Sequence, residues 1–393
     1  MKKRVVVTGI GVVSSIGNNK DEILDSIIKM KTGIKDNIIC SRYESLNKYK
    51  AAESSFNNPI INNSKQMDKI ELMTRYAIDQ AMNDSGISVD SYKDNANRVS
   101  LSFATSLAGN DYVVNYFKTG KKDYTWLTNQ RNYINTIAKD YNIRGACYTT
   151  STACASGTSG AGIGFDLIRD SEADIVIVGG ADSLSEFSMF GFHALKTICD
   201  GLCKPFDLER CGINLGEASA FFIFEEYDHA IKRNAKIYCE VVGYGLANDA
   251  YHSTSPDPNG KGASLSIEMA LNEANITAKD INYINAHGTA TTANDEMEVK
   301  VIKRIFDNNS YVSSTKSLTG HCLGAAGSIE LAICILAMDN QIYPKTYNSH
   351  LNIDEEAVFL KEINSSDIKY SLSNSFAFAG NVASIIIKNA AEN

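Results

Sequence analysis

Runs of apolar residues, each ended by small residues or a turn, recur along the chain and predict buried β-strands. In the first part of the chain they cover residues 4–11, 98–105, 173–180 and 218–224. The last of them, residues 218–224, is nearly continuously apolar, which is typical of a sheet that is covered on both faces. Residues 67–85 have helical spacing, and Gly86 is expected to end that helix. Strands that alternate with helices in this way predict an α/β fold.

The second part of the chain repeats the first in its pattern of strand, small-residue turn and helix. The clearest match aligns residues 311–317 with residues 148–154. In that register two glycine pairs also coincide, namely Gly157 with Gly320 and Gly164 with Gly327. The repeat predicts two related halves, residues 1–236 and residues 237–393, whose turns meet around a pseudo-twofold axis.

Cys154 is the candidate nucleophile of the first half, because it stands among small residues just before a predicted helix. At a helix N-terminus a thiol faces unpaired backbone N–H groups and the positive end of the helix dipole. This setting is expected to lower the thiol pKa and to supply thiolate near neutral pH. An inert buried cysteine is the alternative, so the neighbouring residues must decide between the two.

Composition and charge narrow the function. The net charge of −8 argues against general nucleic-acid binding. Nine cysteines in 393 residues are too sparse for a disulfide scaffold and suit a reducing cytoplasm. The apolar stretch over residues 331–338 is too short to span a bilayer. Zinc is an alternative use of some cysteines, but no metal is expected, because no compact finger spacing is formed by Cys199, Cys203, Cys211 and His193.

The second half supplies polar partners close to its predicted strands. His287 follows one strand directly, and Lys316 and His321 lie in the turn before the next long helix, which contains Glu330. Taken singly, these residues fit a structural histidine, a surface lysine or a solvated carboxylate. Their combination in a half that faces Cys154 predicts an active site at the junction of the halves.

Four segments, in this order, resemble the motifs of one enzyme family. They are Thr-Ala-Cys-Ala-Ser at 152–156, Asn-Ala-His-Gly-Thr-Ala-Thr at 285–291, Lys-Ser-Leu-Thr-Gly-His at 316–321 and Asn-Ser-Phe-Ala-Phe at 374–378. Over essentially its whole length the chain resembles the elongating β-ketoacyl-[acyl carrier protein] synthases of the thiolase-like superfamily. The resemblance implies two pseudo-repeated α/β halves in a five-layer α/β/α/β/α sandwich, and usually a dimer.

The resemblance also implies a role for each polar residue. Cys154 resembles the nucleophile that takes an acyl group from the phosphopantetheine of a carrier protein. His287 and His321 resemble the pair that binds the malonyl thioester carbonyl and promotes decarboxylation. Lys316 resembles the lysine that supports the electrostatics of the histidines, and Glu330 resembles its carboxylate partner.

Further residues are implied to contact the substrate. The backbone N–H groups of Cys154 and Phe378 would form an oxyanion hole. Thr289 and Thr291 resemble residues that contact the pantetheine arm. Phe376, which begins the segment around the gating phenylalanine, is also expected to contact the substrate.

The implied reaction is a decarboxylative Claisen condensation that extends a fatty-acid or polyketide/polyene chain by two carbons. No soluble cofactor is expected, because the carrier protein's phosphopantetheine holds the substrates. The expected partners are an acyl carrier protein and either a second copy or a chain-length-factor-like paralogue, with no nucleic acid and no membrane span.

Three alternatives stay open from the sequence. One is the catalytic ketosynthase subunit of a specialised type II polyketide system, paired with a chain-length factor. Another is a non-catalytic subunit, although such partners usually lack the nucleophile that Cys154 provides here. A thiolase shares the fold, but it would use a second catalytic cysteine and lacks the pair of histidines.

Two departures from the family pattern bear on specificity. Ala377 and Ala379 stand where glycine is usual around Phe378, and Val382 stands where asparagine is usual. Because alanine tolerates positive φ less well than glycine, a stiffer gate and a narrower choice of acyl chain are expected. In a segment that normally carries Arg-Asp-Gly, Cys211 replaces the aspartate.

Docking of the carrier protein poses an electrostatic requirement. Acyl carrier proteins are acidic, and this chain is acidic overall. A local basic patch near the mouth of the site is therefore needed, and binding is expected to weaken as salt rises. Lys204 and Arg210 are candidates for that patch.

Overall fold

The computed structural model describes residues 2–56, 67–122, 125–307, 310–354, 364–365 and 367–392. The strands are β1 (Val5–Ser14), β2 (Lys35–Asp36), β3 (Lys50–Ala51), β4 (Val99–Ala104), β5 (Cys147–Thr150), β6 (Ile175–Asp182), β7 (Ala218–Glu226), β8 (Cys239–Asn248), β9 (Tyr283–Asn285), β10 (Tyr311–Ser313), β11 (Ile342–Tyr343), β12 (Asn364–Ser365), β13 (Tyr370–Phe376) and β14 (Asn381–Asn389). The α-helices are α1 (Lys20–Ile28), α2 (Ile38–Ser41), α3 (Lys69–Ser85), α4 (Val89–Tyr92), α5 (Asn110–Thr119), α6 (Gln130–Asp140), α7 (Ser156–Arg169), α8 (Glu186–Ala194), α9 (Tyr227–Lys232), α10 (Lys261–Ala274), α11 (Thr292–Phe306), α12 (Lys316–Thr319) and α13 (Ala326–Asp339).

The main sheet consists of two halves with the same topology. Among the described residues it has ten strands in the order β10-β9-β13-β14-β8-β1-β7-β6-β4-β5. From the junction outward, the first half has the order β1-β7-β6-β4-β5 and the second half has the order β8-β14-β13-β9-β10. If the five strands of each half are numbered along the chain, both orders are 1-5-4-2-3. The two halves join where β1 pairs antiparallel with β8, from Val5–Val241 to Val7–Cys239. The predicted internal repeat is therefore present in the strand order.

Helices cover both faces of each half-sheet. In the first half, α3 packs on β1 and β7, whereas α7 packs on β6 and β4. In the second half, α10 packs on β8 and β14, and α13 packs on β13. The helices α7 and α13 also contact each other, so they form a shared central layer. This is the expected five-layer α/β/α/β/α arrangement.

The composition of the two central helices suits this position. Residues 326–338 of α13 are all buried, and apart from Ser328 and Glu330 they are apolar or glycine. A helix that is apolar on every side belongs in a core. Small residues in α7 allow the two helices to approach closely, because a Cβ atom built on Gly157 would lie 2.5 Å from the backbone nitrogen of Ser328.

The register predicted for the repeat is correct for the strands and wrong for the helices. The first of the two matched segments, 148–154, begins within β5, and the second, 311–317, begins with β10. However, the turns before α7 and α13 are equivalent at Ala153 (φ 51°) and Leu323 (φ 52°), so Cys154 matches Gly324 rather than Ser317. The difference arises because the second half inserts α12 and His321 between its strand and its helix.

The length and polarity of the helices exclude a membrane span in the described ranges. None of these helices is long and apolar enough to cross a bilayer. The longest, α3, ends at Gly86, which adopts the left-handed conformation expected of a glycine C-cap.

The close approach of α7 and α13 leads to a stability prediction. We expect Gly157→Ala to lower the free energy of unfolding by about 1–3 kcal/mol, because the added methyl group meets the backbone of α13. Gly191→Ala in α8 is the matched control, since a Cβ atom there meets nothing within 4 Å. Chemical denaturation measures the free energy of unfolding of both variants. An equal value for Gly157→Ala and wild type would contradict the close contact of α7 with the backbone of α13.

Candidate active site

Cys154 lies on a tight turn between β5 and α7. Ala153 has a positive φ of 51°, which is uncommon for a residue other than glycine and turns the chain sharply before the cysteine. The hydroxyl of Ser156 accepts a hydrogen bond from the backbone N–H of Thr152 (2.9 Å) and donates one to the carbonyl of Ala153 (2.6 Å). The turn is thereby fixed at the start of the central helix.

The environment of the Cys154 thiol differs from the expectation. Only 7% of the residue is exposed, and this burial raises the thiol pKa to about 12. The positive charge of Lys316 opposes the shift, and the carboxylate of Asp182 adds to it. The predicted lowering of the pKa is therefore wrong for the free protein, because desolvation outweighs the charge of the nearby lysine. The thiol is protonated at neutral pH.

His287 is held by a glutamate that the sequence analysis did not single out. The backbone N–H groups of His287 and Gly288 each donate a 2.8 Å hydrogen bond to the carboxylate of Glu298 in α11. Burial raises the pKa of Glu298 to about 7, while these two donors oppose the shift. The ring of His287 stands nearly perpendicular to that of His321, with 5.5 Å between the ring centroids.

The tautomer of His321 follows from its backbone contacts. Its Nδ1 accepts a hydrogen bond from the N–H of Leu323 (3.1 Å), so the ring proton of the neutral imidazole is on Nε2. Burial, reinforced by Lys316, lowers the pKa of His321 to about 3, and it holds the pKa of His287 well below its usual value. Both imidazoles are therefore neutral at pH 7.

Lys316 and Glu330 form an ion pair behind the histidines. Their side chains are 2% and 1% exposed, and the Lys316 Nζ contacts one carboxylate oxygen of Glu330. Burial raises the pKa of Glu330 to about 7, and Lys316 opposes that shift. Of the two, Lys316 acts on the histidines, through its positive charge.

A cavity with a volume of about 280 Å³ brings most of the predicted site residues together. Seven of the nine line it, namely Cys154, His287, Thr289, Thr291, His321, Phe376 and Phe378. The hydroxyl oxygens of Thr289 and Thr291 are 2.9 Å apart. The cavity therefore joins the nucleophile, the two histidines and a polar side that the two threonines form.

A second cavity, with a volume of about 580 Å³, lies on another side of the nucleophile. It shares Cys154, Phe192, Leu195 and Phe378 with the first cavity, and its lining is mainly apolar. The rings of Phe192 and Phe378 stack between the two, with 5.8 Å between their centroids. Phe192 lies in a helix with little amphipathic pattern, so the sequence alone did not identify it.

Asp182 links the segment that follows β4 to the turn before α13, and it was also missed from the sequence. Its carboxylate accepts hydrogen bonds from the hydroxyl of Thr105 (2.7 Å) and the N–H of Leu107 (2.9 Å) in the first half. It also accepts a 2.7 Å hydrogen bond from the N–H of Gly324, the counterpart of Cys154 in the second half. Burial raises its pKa to about 6, against these donors.

Comparisons with known proteins identify the family of this chain. Residues 2–230 match the N-terminal domain of beta-ketoacyl synthases, and residues 238–350 match their C-terminal domain. This chain belongs to the β-ketoacyl synthase family. The 3-oxoacyl-[acyl-carrier-protein] synthase 2 of Vibrio harveyi is 33% identical to it over 421 residues, covering 100% of both chains.

Solved ketosynthases have the same fold. The ishigamide ketosynthase/chain length factor aligns with a TM-score of 0.89 at 28% identity, covering 99% of this chain and 100% of that chain. A type II polyketide ketosynthase bound to the hexaketide, in complex with its acyl-carrier protein, aligns with a TM-score of 0.87 at 28% identity and the same coverage. The thiolase-like fold and the class of condensing enzyme expected from the four motifs are confirmed.

Two candidates for the basic patch of this synthase are already engaged within the chain. Arg210 is only 8% exposed at its side chain, and it pairs with Glu296 and donates to the carbonyl of Asp207. Lys204 pairs with Glu209 at 2.5 Å. Arg210 is therefore not available for docking, contrary to the expectation.

The zinc alternative is not supported by the arrangement of its residues. Cys199 and Cys211 are joined by a disulfide, with 5.0 Å between their Cα atoms, which also differs from the expectation of reduced cysteines throughout. Within the described ranges, no group of three or more His, Cys, Asp or Glu residues is placed to hold a metal ion.

The two alanines of the synthase gate differ in conformation. Ala377 is extended (φ −130°), whereas Ala379 is left-handed (φ 61°). The N–H of Ala379 donates to the carbonyl of Ser253 (2.8 Å), and its carbonyl accepts from the side chain of Asn248 (2.9 Å). The expected conformational cost of alanine therefore falls on Ala379 alone in this state of the gate.

This difference gives a paired prediction for the gate. We expect Ala379→Gly to be about 1–2 kcal/mol more stable than Ala377→Gly, because only position 379 has the backbone conformation that penalises a Cβ atom. Chemical denaturation of both variants measures the difference. Equal stabilities would mean that the strain at position 379 is relieved elsewhere and that the two alanines are equivalent.

Proposed function

We propose that this β-ketoacyl synthase condenses a malonyl group on an acyl carrier protein with an acyl group held as a thioester on Cys154. Carbon dioxide leaves, and the chain grows by two carbons. The observation that carries the proposal is the meeting of Cys154, His287 and His321 in one cavity. A nucleophile and two neutral hydrogen-bond donors are the groups that acyl transfer and enolate formation require.

In the first half-reaction the Cys154 sulfur attacks the acyl thioester, and the phosphopantetheine thiol leaves with the proton. Because burial keeps the resting thiol protonated, the proton must move as the carbon–sulfur bond forms. The backbone N–H groups of Cys154 and Phe378 would stabilise the oxyanion. Their side chains line both cavities, which supports a position of the acyl group between them.

In the second half-reaction the two histidines act on the malonyl thioester. Loss of carbon dioxide leaves an enolate whose oxygen needs hydrogen-bond donors, and each such donor contributes about 2.7–4 kcal/mol in other enzymes. The Nε2–H of His321 is such a donor, since its Nδ1 is occupied by Leu323. The enolate carbon then attacks the Cys154 thioester, and the sulfur leaves and takes up a proton.

The two cavities suit two parts of the substrate. Thr289 and Thr291 form a polar side of the first cavity, where the pantetheine arm would lie. The apolar second cavity suits the acyl chain, and Phe192 with Phe378 would separate the two. The reaction requires no soluble cofactor, because the carrier protein's phosphopantetheine delivers both substrates.

The assembly we propose is a dimer in the cytoplasm, each chain consisting of the halves 1–236 and 237–393. The strand β5 ends the main sheet, and Tyr148 on it is 44% exposed. An open sheet edge is a surface that a partner strand can cover. Phe187, 60% exposed, lines the apolar cavity and would be covered as well. The partner is either a second copy or a chain-length-factor-like paralogue, and Cys154 makes this chain the catalytic one.

The proposed division of labour is tested with site variants and defined carrier-bound substrates. We expect Cys154→Ala to abolish acyl transfer and condensation but to retain malonyl decarboxylation. His287→Ala and His321→Ala should each retain acylation of Cys154 and lose roughly 10²–10³-fold in decarboxylation. Intact mass follows acylation, and carbon dioxide release follows decarboxylation.

Cys40→Ala is the matched control, because Cys40 is a buried free cysteine that lines neither cavity. Its acylation and condensation should equal those of wild type. Condensation that persists without modification of Cys154 would contradict the assignment of the nucleophile. A wild-type protein that is never acylated would instead identify a non-catalytic subunit.

The identity of the dimer partner is tested by the mass of the purified chain in solution. A homodimer that condenses substrates alone is expected if a second copy covers β5. A chain that is inactive alone, and that gains activity with a synthase-like paralogue lacking the cysteine, would establish the heterodimer. An active monomer would contradict both forms of the proposal.

A further inference from the structure

We propose that Cys199 and Cys211 are a reversible thiol–disulfide site through which the redox state acts on the active site. The two residues form a disulfide across a sequence separation of 12. Disulfides in reducing compartments are mostly transient and redox-sensing rather than structural. The inference goes beyond the condensation reaction, which uses neither sulfur atom.

The disulfide joins two segments that line the first cavity. The N–H of Cys199 donates to the carbonyl of Ile213 (2.8 Å), and the N–H of Ile213 donates to the carbonyl of Thr197 (2.9 Å). Thr197 and Ile213 both line the cavity that contains Cys154. The covalent bond therefore joins two segments whose side chains line the cavity of Cys154.

The segment that follows Cys211 also holds two parts of the catalytic machinery. The N–H of Gly212 donates to the carbonyl of Ala290 (2.9 Å), which lies between Thr289 and Thr291. Two residues further on, the carbonyl of Asn214 accepts from the N–H of His321 (2.7 Å). The carbonyl of His321 in turn accepts from the N–H of Gly216 (2.9 Å). A change in the position of Cys211 is thus connected by backbone to His321.

The exposure of the two cysteines determines which of them reacts first when the disulfide forms. Cys211 is exposed and Cys199 is fully buried. The thiolate of Cys211 attacks a low-molecular-weight disulfide, which releases one thiol and forms a mixed disulfide. The Cys199 sulfur, after losing its proton to water, then attacks Sγ of Cys211 and releases the second thiol. The two cysteines are oxidised by two electrons, and the external disulfide is reduced to two thiols.

Reduction breaks the disulfide, and the segment that follows Cys211 is then held in position by its hydrogen bonds alone. We expect the histidine-dependent step to respond more than acylation. The segment shares backbone hydrogen bonds with His321, and within the described ranges it shares none with Cys154 or its turn. The reduced enzyme should therefore decarboxylate malonyl carrier protein several-fold more slowly than the oxidised enzyme.

The first experiment maps the disulfide without reference to activity. Trypsin cuts after Lys196 and Arg210 but not before Pro205, so it releases peptides 197–210 and 211–232. After treatment with glutathione disulfide, mass spectrometry should find these two peptides cross-linked, and dithiothreitol should separate them. Cys203→Ser, which alters the other cysteine of the first peptide, should keep the cross-link, and Cys211→Ser should lose it. Free thiols at both positions after oxidation would overturn the proposal.

The second experiment measures the effect on the site and rests on the proposed function. In a Cys154→Ala background, in which acylation and condensation do not compete, decarboxylation is compared in oxidised and reduced protein. We expect a several-fold lower rate on reduction, with Cys211→Ser fixed at the reduced rate under both conditions. Equal rates in a protein whose cross-link has been mapped would overturn the redox control. Absence of any decarboxylation would instead count against the proposed function.

Discussion

The arrangement of this β-ketoacyl synthase depends on the close approach of its two central helices. Gly157 of α7 lies against the backbone of Ser328, and Gly327 of α13 lies against Thr158, at distances where a Cβ atom would overlap its neighbours. Because both glycines lie in the first turn of their helices, the approach also brings together the turns that precede them. One turn carries Cys154 and the other carries Gly324, and the carboxylate of Asp182 accepts hydrogen bonds from both sides of this junction. The catalytic cavity is thus a consequence of how two helices pack.

The site gathers ionisable groups in a region that excludes water, and burial sets their charge states. Desolvation is the largest cause of the pKa shift at Cys154, at both histidines and at Glu330. Lys316 adds to this effect at the histidines, because a nearby positive charge disfavours a second one. The histidines are therefore donors of neutral hydrogen bonds, and a cationic mechanism would have to overcome both burial and Lys316. The ion pair with Glu330 compensates the buried positive charge of Lys316.

The parts of the site that follow from local pattern could be predicted, and the parts that depend on distant contacts could not. Cys154 and His287 lie close after strand ends, and His321 lies in the turn before α13, so strands and turns recognised in the sequence were sufficient to bring them together. Glu298 and Asp182 act on backbone N–H groups of other elements, and Asp182 bonds Gly324 across 142 positions of sequence. The thiol pKa was mispredicted for the same reason, since the helix terminus is a local feature and burial is a property of the whole fold.

The protonated state of the buried nucleophile has a consequence for the selectivity of thiol chemistry. Electrophiles and oxidants react with thiolates, so a thiol with a pKa of about 12 that is 7% exposed is protected from them. In the reduced protein, an inhibitor that relies on its warhead alone would react with the exposed Cys211 first. We therefore expect a compound that reaches Cys154 to imitate the substrate, by filling the apolar cavity and presenting a carbonyl oxygen to the proposed oxyanion hole. We therefore expect the free thiol to react with a bound acyl thioester in preference to a reagent in solution.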